Sequence, residues 1–331
     1  MAGTGTAHLR PPRETLLRVE DLVVDFPAGG RQTVHAVSGV SLDIRPGETL
    51  GLVGESGCGK STTGKAIVQL PPPTSGRIHF AGTDLASLKG RQLRSVRTRL
   101  QLIFQDPISS LNPRRKVRDI LAEPLRIWGR GSRAQQEAKV RETLDAVGLD
   151  PDAAMDKRPH QFSGGQCQRI SIARALVMEP ELIICDEPVS ALDVSVQAQI
   201  LNLLDDLKER YDLTLVFIAH DLAVVKHVST RVAVMYLGKI CEVGDPDALY
   251  ARPAHPYTAA LLASIPVPDP DVRPDDADLL TGDLPSPVDP PSGCRFRTRC
   301  PRAQAQCATE EPTIRQVGAD QYVACHFPLT G

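Results

Sequence analysis

Gly54-Glu55-Ser56-Gly57-Cys58-Gly59-Lys60-Ser61-Thr62 follows a short apolar run, Thr49-Leu-Gly-Leu-Val53. It precedes a helix pattern, Ser61 to Leu70, that stops at Pro71-Pro72-Pro73. The spacing is G-x-x-x-x-G-K-S in the strand–loop–helix context that a phosphate-binding loop needs. The glycines let the backbone turn sharply, so successive N–H groups point at phosphate oxygens. The following helix adds its positive N-terminal end. Lys60 is expected to reach the β and γ phosphates, and the Ser61 hydroxyl to ligate Mg²⁺. Residues 54–62 are therefore read as an ATP-binding loop. Cys58 lies inside it. The electropositive setting predicts a thiol alkylated more readily than the others, and protected by ATP.

Strand and helix signals alternate outward from this loop. Leu100-Gln-Leu-Ile-Phe104, Glu181-Leu-Ile-Ile-Cys185 and Thr214–Ala219 read as strands, and Val196–Arg210 as a helix. Residues 114–148 suit a helical insert with exposed faces. Such alternation implies an α/β fold with a mostly parallel sheet flanked by helices. Composition narrows the class. Thirty-eight basic against forty acidic residues give a net charge of −2, which argues against a polybasic nucleic-acid binder. One Trp, five Tyr and seven Phe supply few stacking platforms. No apolar run is long enough to span a bilayer, and Met1–Glu20 has no signal-type apolar core. The eight cysteines are thus expected in a reducing compartment, where metal or packing roles outrank disulfides.

Asp186 and Glu187 end an apolar strand, where α/β sheets place ligand groups. Asp186 is suited to hold Mg²⁺ and Glu187 to polarise the attacking water as general base. The competing reading is a pair of acids on a solvated turn. His220 ends another apolar strand and is a candidate for a γ-phosphate contact.

Phe162-Ser163-Gly164-Gly165-Gln166 resembles the signature of ATP-binding-cassette (ABC) ATPases. Ser190-Ala-Leu-Asp193 resembles their D-loop, His220 their switch histidine, and Gln105 of Phe104-Gln-Asp-Pro107 their Q-loop glutamine, in the family's order. The resemblance covers about residues 16–265. It implies a P-loop NTPase with a RecA-like core, a helical subdomain at about 106–178 and an antiparallel β subdomain. Residues 1–15 are read as a flexible N-terminus. The implied site residues are Glu187, His220 and Gln105 for catalysis, Ser61, Gln105 and Asp186 for Mg²⁺, and Ser163–Gln166 and Asp193 at the ATP site. Phe26 is the candidate for stacking on adenine, against the alternative of a strand-core Phe. The family closes the signature of one subunit over the nucleotide of its partner, in a head-to-tail dimer. Cys167 departs from the commonest signature neighbourhood, where a longer polar residue is usual.

Phe104–Pro113, Pro188–Gln199 and His255-Pro-Tyr-Thr-Ala-Ala-Leu-Leu262 are most similar to ATPase subunits of bacterial oligopeptide/dipeptide importers, and to their F-type more than their D-type. The resemblance implies two membrane permease subunits, a second ATPase of D-type, an external peptide-binding protein met indirectly, no nucleic acid, and a peripheral place on the cytoplasmic face of the inner membrane. Nickel and other small-solute importers share much of the pattern. A non-transport soluble ABC ATPase is a further alternative, disfavoured because neither a second cassette nor a long coiled-coil insert is present.

Proline crowds the C-terminal part. Ile265–Ser292 (IPVPDPDVRPDDADLLTGDLPSPVDPPS) reads as a linker or an extended wrap. Residues 266–331 are then a small Pro/Cys-rich domain. Cys294, Cys300, Cys307 and Cys325 are spaced C-x5-C-x6-C-x17-C, which matches no short zinc template. Thiolates suit an iron–sulfur cluster or zinc, and His326 could replace one ligand. Gly293–Pro301 and Ala324–Pro328 resemble the C-terminal extension of peptide-importer ATPases, in which some members carry a [4Fe–4S] cluster.

Overall fold

The computed structural model describes residues 5–265 and 282–329. Part of the proline-rich stretch, residues 266–281, lies outside them. The chain divides into two compact units, Met1–Lys89 with Phe217–Gly331, and Gly90–Val216.

The first unit holds a four-stranded antiparallel sheet in the order Thr33–Ile44, Leu17–Pro27, Ser75–Phe80, Thr83–Asp84. Alternating Leu17, Val19, Leu22 and Val24 are buried, and the two-residue period breaks between Val19 and Leu22, where the pairing register shifts. Residues 37–44 of the neighbouring strand are buried without alternation. A second group of strands pairs in the order Arg315–Gly318, Gln321–Val323, Lys239–Gly244, Arg231–Tyr236, Thr49–Val53. The last two are parallel, with Leu50 opposite Arg231 and Val53 opposite Val234. Thr49–Val53 is buried at every position, which explains its unbroken apolar pattern.

The C-terminal extension belongs to this unit and is not a unit apart. Its strand Gln321–Val323 pairs antiparallel with Lys239–Gly244, Glu242 opposite Val323. Pro287 of the wrap accepts a hydrogen bond from the His35 N–H at 2.9 Å. Residues 5–15 also differ from the flexible segment expected. His8 is 3% exposed and bonds the Ser41 carbonyl, and Arg10 pairs with Asp43 and Glu48.

The second unit is wider than the helical segment anticipated over 106–178. It opens with a helix, Gly90–Arg99, and pairs Leu100–Ile103 parallel to Leu182–Asp186. Thr214, near its end, donates to the Glu181 carbonyl. Between the strands run the helices Val117–Ile127, Arg133–Ala146 and Gly164–Leu176, with shorter turns. Ser132 and Ser163 cap the last two in capping boxes with Gln135 and Gln166.

Candidate functional site

Gly54 enters the loop where a Cβ would lie 2.0 Å from the Met235 carbonyl oxygen. Gly59 has φ 104°, and a Cβ there would stand 2.2 Å from the Ala36 carbonyl oxygen. Only glycine fits either position. Gly59 is the N-cap of the helix Lys60–Ile67. Lys60 is 3% exposed, and its Nζ donates to the carbonyls of Gly54 at 2.7 Å and Glu55 at 2.9 Å. The ammonium is thus held inside the loop. Ser56 and Gly57 form an exposed tip, and Ser61 and Thr62 are half-buried. Phe26 is half-buried at the end of its strand, opposite Val34, and is not a core residue. His220 is exposed directly after the strand Thr214–Ala219.

Cys58 overturns the expectation of a reactive thiol. It is 1% exposed. Burial pushes its thiol above the ordinary range, and the Lys60 charge offsets only part of that. A positive neighbour activates a thiol only where the thiolate is solvated.

In the second unit, Asp186 closes a strand buried at all five positions and is itself 1% exposed. Glu187 follows with φ 47°, a left-handed conformation that costs a non-glycine residue about 1–3 kcal/mol. Gln105 Nε2 donates to Glu187 Oε2 at 2.9 Å. The two residues are 82 apart in sequence and meet because their strands run parallel, Ile103 opposite Cys185.

Ser163 Oγ accepts from the Gln166 N–H at 3.3 Å, and Gln166 Oε1 accepts from the Ser163 N–H at 3.0 Å. The helix Gly164–Leu176 therefore begins at a defined point, with its positive end at Ser163-Gly-Gly. At Gly165 a Cβ would stand 2.5 Å from Val196 Cγ1, so the helix after Asp193 approaches closely there. Asp193 caps that helix: Oδ1 accepts from Ser195 Oγ at 2.7 Å and from the Val196 N–H at 3.0 Å. These bonds hold its carboxyl below the usual range. Cys167 is 1% exposed and its Sγ donates to the Pro159 carbonyl, a packing role.

Residues 37–190 match the ABC transporter family, and residues 241–307 match the C-terminal region of oligopeptide/dipeptide transporters. The putative oligopeptide transport ATP-binding protein YkfD of Bacillus subtilis is 52% identical over 95% of this chain and 96% of its own length. The chain belongs to the ABC transporter ATPase family. The oligopeptide transport ATP-binding protein OppF of Salmonella typhimurium is 53% identical, over 91% of this ABC ATPase and 93% of its own. Among solved structures, the cassette MJ0796, a dimer bound to ADP and phosphate, aligns with TM-score 0.64 and 28% identity over 70% of this chain and 98% of its own. CbiO1 of Clostridium perfringens aligns with TM-score 0.63 and 28% identity over 72% of this chain and 91% of its own. The α/β P-loop fold and the ATPase activity expected from the motifs hold for this ABC ATPase.

The cysteine tail of the ABC ATPase stands differently. Burial pushes the Cys294 thiol up to about 11, and Cys325, Cys307 and Cys300 add to the rise. Burial also raises Cys300 and Cys325, each further raised by Cys307. The four thiols are thus within electrostatic reach of one another. Yet among the described residues no three His, Cys, Asp or Glu side chains gather closely enough to hold a metal ion. His326 bonds the Glu310 carbonyl. The side chains as they stand therefore do not form the cluster or the zinc site anticipated for these thiolates.

Two contacts of the loop escaped the motif reading. Tyr257 Oη accepts from the Glu55 N–H at 2.9 Å. His255 caps the helix Pro256–Ala263 that carries Tyr257, and its ring nitrogen accepts from the Tyr257 N–H at 3.0 Å. Arg299 of the extension pairs with the Glu55 carboxylate. Only the family wording His255-Pro-Tyr-Thr marked this region; nothing in the sequence tied it to the loop.

Proposed function

We propose that this chain is the ATP-hydrolysing subunit of an importer of oligopeptides, working at the cytoplasmic face of the membrane through two permease subunits. The observation that carries the reading is the identity of 52–53% to proteins named as oligopeptide transport ATP-binding proteins, extending through the C-terminal region. Among the described residues no helix is long and apolar enough to cross a membrane, so the channel would come from other chains.

In this reading residues 54–62 wrap the phosphates, Lys60 meets the β and γ groups, and Phe26 stacks on adenine. Ser61, Asp186 and Gln105 offer hard oxygen donors of the kind Mg²⁺ takes, and the ion would neutralise phosphate charge. Glu187 accepts the proton of the attacking water, Gln105 aligns that carboxylate, and His220 contacts the γ phosphate. Ser163–Gln166 and Asp193 serve the nucleotide of a partner ATPase, in our reading a D-type chain. The extracytoplasmic peptide-binding protein acts through the permeases.

Copurification with the permeases, followed by reconstitution in liposomes, tests the whole. ATP-dependent uptake of a labelled oligopeptide that Glu187→Gln abolishes is the expected result. Nickel uptake in place of peptide moves the chain to the small-solute alternative. Association with ribosomes and no permease overturns the importer reading.

We further propose that Cys294, Cys300, Cys307 and Cys325 take a [4Fe–4S] cluster once deprotonated. Support comes from the mutual electrostatic influence of the four cysteines, which bears on Cys294, Cys300 and Cys325 alike, and cluster binding would release the thiol protons. Anaerobic purification with iron and sulfide analysis decides it. A zinc-only or metal-free protein overturns the cluster.

A further inference from the structure

The second residue of the phosphate loop is an acid, Glu55. A carboxylate there repels the polyanion that the loop must hold. The structure shows what answers it. Arg299 Nη1 donates to Glu55 Oε2 at 2.6 Å and Nη2 to Glu55 Oε1 at 3.0 Å, a bidentate fork that fixes both oxygens. The Arg299 side chain is 7% exposed. Its guanidinium lies over the Tyr236 ring, 5.8 Å from the centroid. Tyr236 in turn packs edge-on against Tyr257, centroids 4.7 Å apart, and Tyr257 holds the Glu55 backbone N–H. A second residue of the extension, Leu284, comes within 3.8 Å of where a Cβ at Gly57 would lie.

We propose that Arg299 is a positioning residue of the nucleotide site. It neutralises Glu55 and turns its carboxylate away from the bound phosphates, so that the C-terminal extension forms part of the ATP-binding loop. This rests on the reading of residues 54–62 as that loop. The pair spans 244 residues of sequence, and the arginine that completes the loop comes from outside the cassette motifs.

The full-length chain is titrated with Mg²⁺ and the non-hydrolysable analogue AMP-PNP. Arg299→Ala is expected to weaken binding about tenfold, or about 1.4 kcal/mol. KM for ATP rises to match, while kcat at saturation stays within about twofold. Arg299→Lys keeps the charge without the fork and falls between. The decisive readout is rescue: Arg299→Ala combined with Glu55→Gln returns to within about threefold of the unaltered affinity. An arginine that merely fastened the extension would not be rescued by removing its partner's charge. Glu55→Gln alone, which keeps the side chain's size and removes the charge that repels the phosphates, tightens binding. That variant decides the matter should Arg299→Ala fail to fold. Unchanged affinity in Arg299→Ala, absent rescue, or weaker binding in Glu55→Gln overturns the proposal. Absence of binding by the unaltered chain would instead overturn the ATP-loop reading itself.

Discussion

Gln105 and Glu187 are joined by a hydrogen bond of 2.9 Å, amide nitrogen to carboxylate oxygen. One Glu187 oxygen is thereby oriented, in a residue whose backbone is already held at φ 47°. Replacing Glu187 by Gln keeps size and shape and removes the carboxylate proposed as the base. Turnover should fall by about 100-fold or more, while ATP binding stays within a few-fold. Single-turnover kinetics beside equilibrium binding checks this. Near-normal turnover would remove Glu187 from the role. Gln105→Ala leaves the Glu187 carboxylate but frees its orientation, so by the same proposal a smaller loss of turnover is expected.

Lys60 donates to two carbonyls of its own loop and is almost fully buried. Lys60→Ala removes the loop's ammonium. Binding of AMP-PNP should drop by about two orders of magnitude, with the far-ultraviolet spectrum unchanged. Retained affinity would show that backbone N–H groups alone hold the phosphates.

Gly59 sits at φ 104° with the Ala36 carbonyl oxygen where a Cβ would be. Gly59→Ala must shift backbone on two segments. A loss of stability of about 2 kcal/mol or more is expected, read from urea unfolding, together with loss of nucleotide binding.

Ser163 caps the helix Gly164–Leu176. Ser163→Ala should cost about 1 kcal/mol of stability. By the partner-site reading it should also lower ATPase activity in the assembled transporter without weakening ATP binding to the isolated chain. Weakened binding in the isolated chain would place Ser163 at its own nucleotide.

Burial lowers His8 to about 4 and His255 to about 3. Well above pH 6.5 each is neutral both folded and unfolded, and neither contributes a pH dependence. Below it the unfolded chain takes up protons that the folded one refuses. Stability should therefore fall as pH drops from about 6.5, by up to ~1.4 kcal/mol per unit for each histidine. The decline from His8 ends near pH 4 and that from His255 near pH 3. Denaturant titrations between pH 7 and 4 measure the slope. A His255→Gln variant that unfolds with the same slope would locate the effect elsewhere.

Cassette motifs were legible because each is local: a loop, a strand end, a helix cap, with few residues and fixed spacing. Ser163 and Gln166 are three apart, and their capping box follows from that spacing alone. What escaped depends on partners far along the chain. Cys58 looked reactive beside Lys60 until the fold enclosed it. Glu55 carried no sign of Arg299. The four cysteines were counted correctly, but spacing could not say how their side chains would stand. The extension read as a domain apart because proline announces irregular chain, whereas pairing to Lys239–Gly244 depends on a register that only the fold reveals.

That pairing has a practical side. Without Gln321–Val323, the strand Lys239–Gly244 would present an open row of peptide N–H and C=O groups, with Ile240 and Val243 among its side chains. Such a margin recruits other chains. Buried Glu242, which accepts from the Ala254 and His255 N–H groups and from Gln321 Nε2, would lose one donor of three. Trimming the protein to its recognisable cassette, a natural step for anyone preparing it for crystals, would thus leave a sticky seam: the tail acts as an intramolecular guard against self-association.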